Sequence, residues 1–291
     1  MKRLFLLFAF LLALSCGAQD SPWELAARFD FNAARQALRQ AAGTGVESAD
    51  AAETRELLQA AVLLGVQPRT EDNVRQALAG VRALSARPGI SEDTFVAARY
   101  LEARILGLHL EPRDGAGART IHADLLEHHR AHPLAQQGAA TLALGLLYDN
   151  AQAERPERLA AAEALLARVT SPEAERDLRY VIGHARLRWG LGIGEASAHL
   201  EQAAQIGFHQ QQRQASLYVT LGQLAEERGD LALARESYRK FLQLARRDTR
   251  VHAIGERLAA LEGKPGGEAD GDSSGVSTPV GPLAGGKEAH R

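Results

Sequence analysis

The stretch LYVTLGQLAEERGDLALARESYRKFLQLA, residues 217–245, decides the fold. In its first half, apolar residues recur at helical spacing, at Leu217, Tyr218, Leu221, Leu224 and Ala225. Gly229-Asp230 then interrupts the pattern, and Asp230 stands where its carboxylate can cap a following helix. The second half resumes the helical spacing at Ala234, Tyr238, Phe241 and Ala245. The stretch therefore predicts two helices joined by a tight turn.

The same unit recurs along the chain. An apolar residue followed by glycine stands late in five predicted helices, at Leu64-Gly65, Leu106-Gly107, Leu144-Gly145, Ile182-Gly183 and Leu221-Gly222. Successive glycines are 42, 38, 38 and 39 residues apart, a period typical of stacked helix pairs. We expect these small residues to let two antiparallel helices approach closely.

The recurring positions resemble a known repeat family. Leu221-Gly222, Gly229-Asp230, Ala234, Tyr238 and Phe241 are similar to a tetratricopeptide repeat (TPR). Leu144-Gly145 with Ala160, Ala164, Ala167 and Pro172 follows the same pattern, and the glycine-rich copy at 182–207 resembles the related Sel1-type repeat. The resemblance covers residues 134–248. It implies an all-α, right-handed helical-repeat solenoid.

We expect about twelve helices in six antiparallel pairs, forming one domain over residues 22–262. Cap residues before proline or acidic residues predict helix starts at Ser21-Pro22, Thr70-Glu71 and Ser171-Pro172. The segments 115–117 and 190–194, rich in glycine, are predicted to be turns between helices. Residues 263–291 are rich in Gly, Pro, Ser and acidic residues, and this tail is predicted to be disordered.

The N-terminus has the pattern of an export signal. Residues 1–3 carry positive charge and residues 4–14 are apolar, too short a run to span a bilayer, which takes about 20 helical residues. Residues 12–16 resemble a bacterial lipobox, although Ala13 replaces its usual leucine. The resemblance implies a signal peptide at 1–15 and lipidation of Cys16. The alternative is an ordinary signal peptide with a coincidental cysteine.

Further consequences follow from the lipobox resemblance. The residue after Cys16 is Gly17, and the absence of aspartate there implies an outer-membrane, periplasm-facing address. The tether at 16–21 spans under about 20 Å, which would hold the helical domain close to the bilayer. No cysteine follows Cys16, which excludes disulfides and thiolate metal sites. The net charge of −2 gives no broad basic field for nucleic acid.

No chemistry-bearing motif predicts an enzyme or a cofactor. The histidine cluster is His122, His128, His129 and His132. His128 and His132 have helical ligand spacing, but Pro133 biases His132 away from helical geometry. There is no nucleophile elbow and no phosphate-binding glycine loop. We therefore expect no metal and no catalysis, although a catalytic pair assembled only by folding stays open.

The TPR resemblance implies that the first helix of each pair lines a concave groove. By position, the groove residues would be Leu142, Leu146 and Asp149; Tyr180, His184 and Arg188; and Val219, Gln223 and Glu226. This mixture suits an extended peptide or a partner helix, although such positions can also be plain solvent-facing residues. The leading hypothesis is a lipid-anchored scaffold or adaptor for another envelope protein or peptide segment. The alternative is a small-ligand or glycan-binding lipoprotein.

Overall fold

A computed structural model of the chain describes residues 25–26, 30–41, 49–149 and 154–263. These residues form twelve α-helices and no strand, which confirms the predicted all-α class. The predicted signal peptide, Cys16 with its tether, and the helix start at Ser21-Pro22 lie outside the described residues. So does the predicted tail, apart from Gly263.

The helices fill most of the described chain. They are α1 (Phe31–Ala41), α2 (Ala49–Gly65), α3 (Glu71–Ser85), α4 (Glu92–Arg104), α5 (Gly115–His128), α6 (Pro133–Tyr148), α7 (Arg155–Ala164), α8 (Pro172–Trp189), α9 (Ile193–Ile206), α10 (Gln211–Glu227), α11 (Leu231–Leu244) and α12 (Val251–Glu262). A π-helical turn (Ile105–His109) extends α4, and a 3-10 turn (Leu165–Ala167) extends α7.

Side-chain caps fix several helix starts. Thr70, Ser171 and Asp230 each accept a hydrogen bond from the backbone N–H three residues further on, at 3.2, 3.0 and 3.0 Å. Each bond satisfies an N–H that has no partner within the helix. The predicted starts of α3, α8 and α11 are therefore confirmed.

One predicted turn is wrong and another is confirmed in part. Gly115 is the first residue of α5, and the cap is Asp114, whose Oδ1 accepts from Gly117 N at 2.8 Å. A strong cap can start a helix even at residues of low helix propensity. Between α8 and α9, by contrast, Gly190 and Gly192 have φ of 68° and 79°. That left-handed backbone favours glycine and forms a turn at 190–192. Ile193 and Gly194, which were also predicted in the turn, belong to α9.

Each described helix packs on the next one along the chain. In addition, α2 contacts α4, α4 contacts α6, and α6 contacts α8. Helices α10 and α12 show the relative direction of two helices that are separated by one other along the chain. Arg250, at the start of α12, donates to Ser216 near the start of α10, and Arg257 binds Glu226 near the end of α10. Helix α12 therefore runs parallel to α10.

Three of the repeated glycines, Gly145, Gly183 and Gly222, are buried, and they do not all face the same neighbour. A Cβ on Gly222 would overlap the ring of Tyr238, so glycine lets α10 and α11 approach closely, as predicted. In the copy at α6, a Cβ on Gly145 would lie 2.7 Å from Cδ of Arg119. Arg119 belongs to α5, the preceding helix. Helical spacing cannot show which of two neighbours a buried position faces.

Candidate functional site

Helices α8 and α10 bring aromatic rings and arginines together. Tyr180 and His184 lie one turn apart on α8, with ring centroids 4.3 Å apart. Phe208, in the α9–α10 connection, packs edge-on to Tyr180 with centroids at 5.3 Å. The guanidinium carbon of Arg213 on α10 lies 4.4 Å from the centroids of both Tyr180 and Phe208. We call these four residues the α8–α10 cluster.

The α8–α10 cluster carries a positive charge without a bound carboxylate. Arg213 forms no ion pair with any described residue, and its guanidinium group lies over the two aromatic faces. Stacking of this kind contributes about 0.5–2 kcal/mol and leaves the edge of the guanidinium free to donate hydrogen bonds. The cluster can therefore bind a carboxylate beside an aromatic or apolar surface.

His184 is held neutral at the centre of this cluster. Its Nε2 is buried with no hydrogen-bond partner in the structure. Burial lowers the pKa of the His184 imidazole below 6.5, and the positive charge of Arg213 lowers it further. At neutral pH, the arginine is thus the charged group of the cluster.

A second cluster lies where α6 and α8 end. Tyr148 and Trp189 meet edge-on with centroids 5.7 Å apart. Arg188 lies 5.3 Å from the centroid of Tyr148, and Arg158 of α7 lies 5.3 Å from that of Trp189. We call these four residues the α6–α8 cluster. Beside it, Leu144 is 44% exposed, one turn before Tyr148 at 37%.

The two clusters share one face of α8. Tyr180, His184 and Arg188 follow one another at intervals of four residues, which places them along a single side of the helix. Arg188, like Arg213, forms no ion pair with a described residue and contacts an aromatic face instead. The three groove positions predicted on α8 therefore lie side by side, two in one cluster and one in the other.

The groove positions predicted on α6 are only partly accessible. Leu142 is 4% exposed and lies in the core, so its side chain is not available to a partner. Leu146 is half-buried against the same core. Asp149 is exposed and bound to Arg119 of α5, with an N–O distance of 3.2 Å. The sequence spacing did not reveal that α8 covers part of this face.

On α10, the predicted groove positions lie beneath or beside α12. Val219 is 6% exposed and packs in a core that includes Ile254 and Leu258 of α12. Gln223 is half-buried. Glu226 accepts hydrogen bonds from the Tyr238 hydroxyl and from Arg257. Its carboxylate is thus engaged within the fold, and the structure does not bring it to the two clusters.

Sequence reasoning missed the residues that complete these clusters. Tyr148, Trp189 and Phe208 supply their rings and Arg213 the charge that faces Tyr180. The sequence signal for these residues was the scarcity of aromatic side chains. Aromatic residues make up only 5% of the chain, so each aromatic position was a candidate. Their grouping depends on α6, α8 and α10 lying near one another. Spacing within one helix does not contain that information.

The histidine cluster is divided by the fold. His122 is 2% exposed in the core. His129 Nδ1 and His132 Nε2 lie 2.8 and 3.5 Å from the carboxylates of Glu92 and Asp93 at the start of α4. His128 lies 3.1 Å from Asp124 on its own helix. Across the described ranges, no group of three or more His, Cys, Asp or Glu residues is arranged to hold a metal ion.

None of the helices in the described part of the chain combines the length and apolarity needed for a transmembrane span.

Comparison with known proteins assigns no family. No protein-family model matches this chain, and no curated protein matches its sequence. The geometry and chemistry of the two clusters are therefore what bears on function.

Proposed function

We propose that this protein is a lipid-anchored envelope scaffold that binds another protein through the face carrying the α6–α8 and α8–α10 clusters. In this proposal residues 1–15 are removed as a signal peptide, and Cys16 is acylated. The acyl chains hold the helical domain at the outer membrane, facing the periplasm. The lipobox resemblance of residues 12–16 supports the anchor.

We also propose that the helices form a right-handed solenoid of TPR-like pairs. Three relationships support this arrangement. Helices α2, α4, α6 and α8 contact one another in succession, α12 runs parallel to α10, and Gly222 lies beneath Tyr238 of the following helix. A solenoid places the first helices of successive pairs side by side, which forms an extended surface for a partner.

The observation that carries the binding proposal is the state of Arg188 and Arg213. Both guanidinium groups stack on aromatic faces and have no carboxylate partner among the described residues. Such groups are typical binding anchors, because a partner carboxylate gains a charge-assisted hydrogen bond and a dry, apolar setting. Exposed Leu144 and Tyr148 add apolar contact area. The partner segment should therefore combine acidic and apolar side chains.

The test is in-cell crosslinking of the anchored protein followed by affinity capture. Three chains are compared: wild type, Arg188→Glu/Arg213→Glu, and Arg246→Glu/Arg247→Glu. The last pair is exposed on the α11–α12 connection and makes the same charge change elsewhere. We expect one dominant envelope protein with wild type and with the control pair, and its loss with Arg188→Glu/Arg213→Glu. Equal recovery by all three chains, or no specific protein with wild type, would contradict the proposal.

The anchor is tested separately. Mass spectrometry of the N-terminal peptide should show an acylated Cys16 in wild type, and a Cys16→Ser chain should leave the membrane fraction. An unmodified Cys16 would contradict the lipid anchor without bearing on the binding face. Glu226→Lys is not a suitable probe of this face, because Glu226 binds Tyr238 and Arg257 inside the fold.

A further inference from the structure

A basic cavity lies between the first two described helices, on elements that the two clusters do not use. Its volume is about 180 Å³. The residues that line it are Arg35, Leu38 and Arg39 of α1, Arg55, Gln59, Val62 and Leu63 of α2, and Gln76 of α3. Three arginines and two glutamines thus surround a floor of three buried aliphatic residues. None of the described residues that line the cavity is acidic.

The arrangement of charge at this cavity favours a bound anion. Arg35 and Arg39 lie four residues apart on one face of α1, a spacing at which like charges repel. Neither forms an ion pair with a described residue. Arg39 gains from the negative end of the α1 dipole, but Arg35, near the middle of α1, does not. Arginines that converge on one cavity offer planar sets of donors that match a phosphate group.

The position of the cavity along the chain indicates where that anion would come from. Phe31, the first residue of α1, comes 15 residues after Cys16. Fifteen residues span at most about 50 Å, and α1 and α2 are the first described helices after the cysteine. An anchor at Cys16 would therefore keep this cavity near the headgroups of the bilayer.

We propose that Arg35 and Arg39, which line the cavity between α1 and α2, bind the phosphate of an anionic phospholipid headgroup. The membrane proximity in this argument rests on the proposed lipid anchor. The acyl chains at Cys16 would supply the attachment itself, and a basic patch near the bilayer adds attraction to anionic lipids. Here the basic patch orients the domain as well, because it holds one end of the helical array against the bilayer.

The test measures binding to vesicles by a chain that carries no lipid. Residues 17–291 retain every described residue and lack the apolar N-terminal segment. Co-sedimentation is measured with vesicles of phosphatidylglycerol, which is anionic, and of phosphatidylcholine, which has no net charge. Each arginine near an anionic surface contributes roughly fivefold in affinity. We therefore expect Arg35→Gln/Arg39→Gln to weaken binding to phosphatidylglycerol by about 25-fold.

The matched control is Arg246→Gln/Arg247→Gln, which removes the same charge from an exposed pair on the α11–α12 connection. This control should bind within about twofold of wild type, and thermal unfolding should show both variants folded. Equal loss in the two variants, or equal binding of wild type to both kinds of vesicle, would overturn the proposal. Titration with inorganic phosphate distinguishes the source of the anion. Phosphate binding without any vesicle preference would overturn the headgroup assignment.

A negative result in the vesicle assay can be distinguished from a failure of the proposed scaffold function. The vesicle assay uses no anchor and no partner protein, and its substitutions lie on α1. The crosslinking assay changes residues of α8 and α10. A negative vesicle result would therefore leave the binding face and the acylation of Cys16 untouched.

Discussion

Glu226 on α10 and Arg257 on α12 form an ion pair with an Oε1–Nε distance of 2.6 Å. The hydroxyl of Tyr238 on α11 donates to the same oxygen at 2.5 Å. Burial, followed by this hydrogen bond to a carboxylate, raises the pKa of the Tyr238 phenol. One carboxylate thus joins three helices, and it fixes α12 alongside α10.

We expect Glu226→Lys to loosen α12. The substitution leaves the buried Tyr238 hydroxyl without its acceptor and places an ammonium beside Arg257, at a cost of roughly 2–3 kcal/mol. In a domain of this size that lowers Tm by roughly 5–10 °C. Thermal unfolding followed by circular dichroism measures the shift. Glu227→Lys is the control, since Glu227 is exposed and the charge change is identical. Equal shifts for the two variants would contradict the assigned role.

Two glycine-to-alanine changes should have opposite effects on stability, because only one of the two glycines lies in a close contact between helices. A Cβ at Gly222 would overlap the buried Tyr238 ring, so Gly222→Ala should destabilise the protein by about 1–3 kcal/mol. Gly80, in the middle of α3, has no atom within 4 Å of its Cβ position apart from its chain neighbours and the backbone of its own helix. Gly80→Ala should therefore stabilise by roughly 0.5–1 kcal/mol. Chemical denaturation measures both, and destabilisation by both alike would count against this account.

The glycines also show how far the sequence could predict the structure. Periodicity and capping predicted the helices, because both depend on neighbouring residues. The close approach of α10 and α11 at Gly222 followed from the repeat. Gly145 faces Arg119 of the preceding helix instead, and Val219 lies under α12. Which helix covers a position depends on how helices stack. The candidate site was therefore predicted only on α8, and its partner Arg213 was missed.

Burial of His122 should make the protein sensitive to acid. The ring is 2% exposed, both nitrogens lack a hydrogen-bond partner, and Tyr100 packs edge-on at 5.6 Å. Burial, with a smaller effect from the Arg104 charge, lowers the pKa of His122 from 6.5 to about 4. The unfolded chain therefore binds a proton at this residue that the folded chain does not, between these two pH values.

The folded state should therefore have its full stability with respect to His122 above pH 6.5. That stability should be lost progressively as the pH falls toward 4. The loss amounts to about 1.4 kcal/mol per pH unit, or on the order of 3 kcal/mol in total. His122→Leu removes the titrating group and places an apolar side chain in the core instead. Urea unfolding at pH 7 and pH 4.5 compares the two chains. Wild type should lose more stability than the variant, and an identical loss would contradict the prediction.

The charge of Arg213 should contribute to the lowered pKa of His184. Burial is the larger cause of that lowering, and the arginine charge adds to it. Arg213→Met should therefore raise the His184 pKa, as measured by NMR titration of the ring protons. Arg213→Lys keeps the charge without the planar stacking, and the pKa should stay low. Arg188→Met is the control on the neighbouring turn. A His184 pKa that is unchanged in Arg213→Met, or that rises as much in Arg213→Lys as in Arg213→Met, would show that the arginine charge does not lower it.

Gln136 provides the sharpest test of how the middle helices are held together. Its Nε2 donates to the Arg130 carbonyl at 2.7 Å. Its Oε1 accepts from the backbone N–H groups of Thr170 and Ser171, at 2.6 and 3.1 Å. The side chain is 2% exposed. The side-chain amide of Gln136 thus provides hydrogen-bond partners for backbone groups in the loop before α6 and in the loop before α8.

Gln136→Ala should leave these backbone groups without their partner, at a cost of roughly 2–4 kcal/mol. Gln137→Ala is the matched control, because Gln137 is the next residue on the same helix and is exposed. That change should stay within about 0.5 kcal/mol of wild type. Denaturant unfolding measures stability, and hydrogen exchange at Thr170 and Ser171 reports the local effect. Both amides should exchange faster in Gln136→Ala alone. Unchanged exchange at both amides would mean that Gln136 does not hold the two loops together.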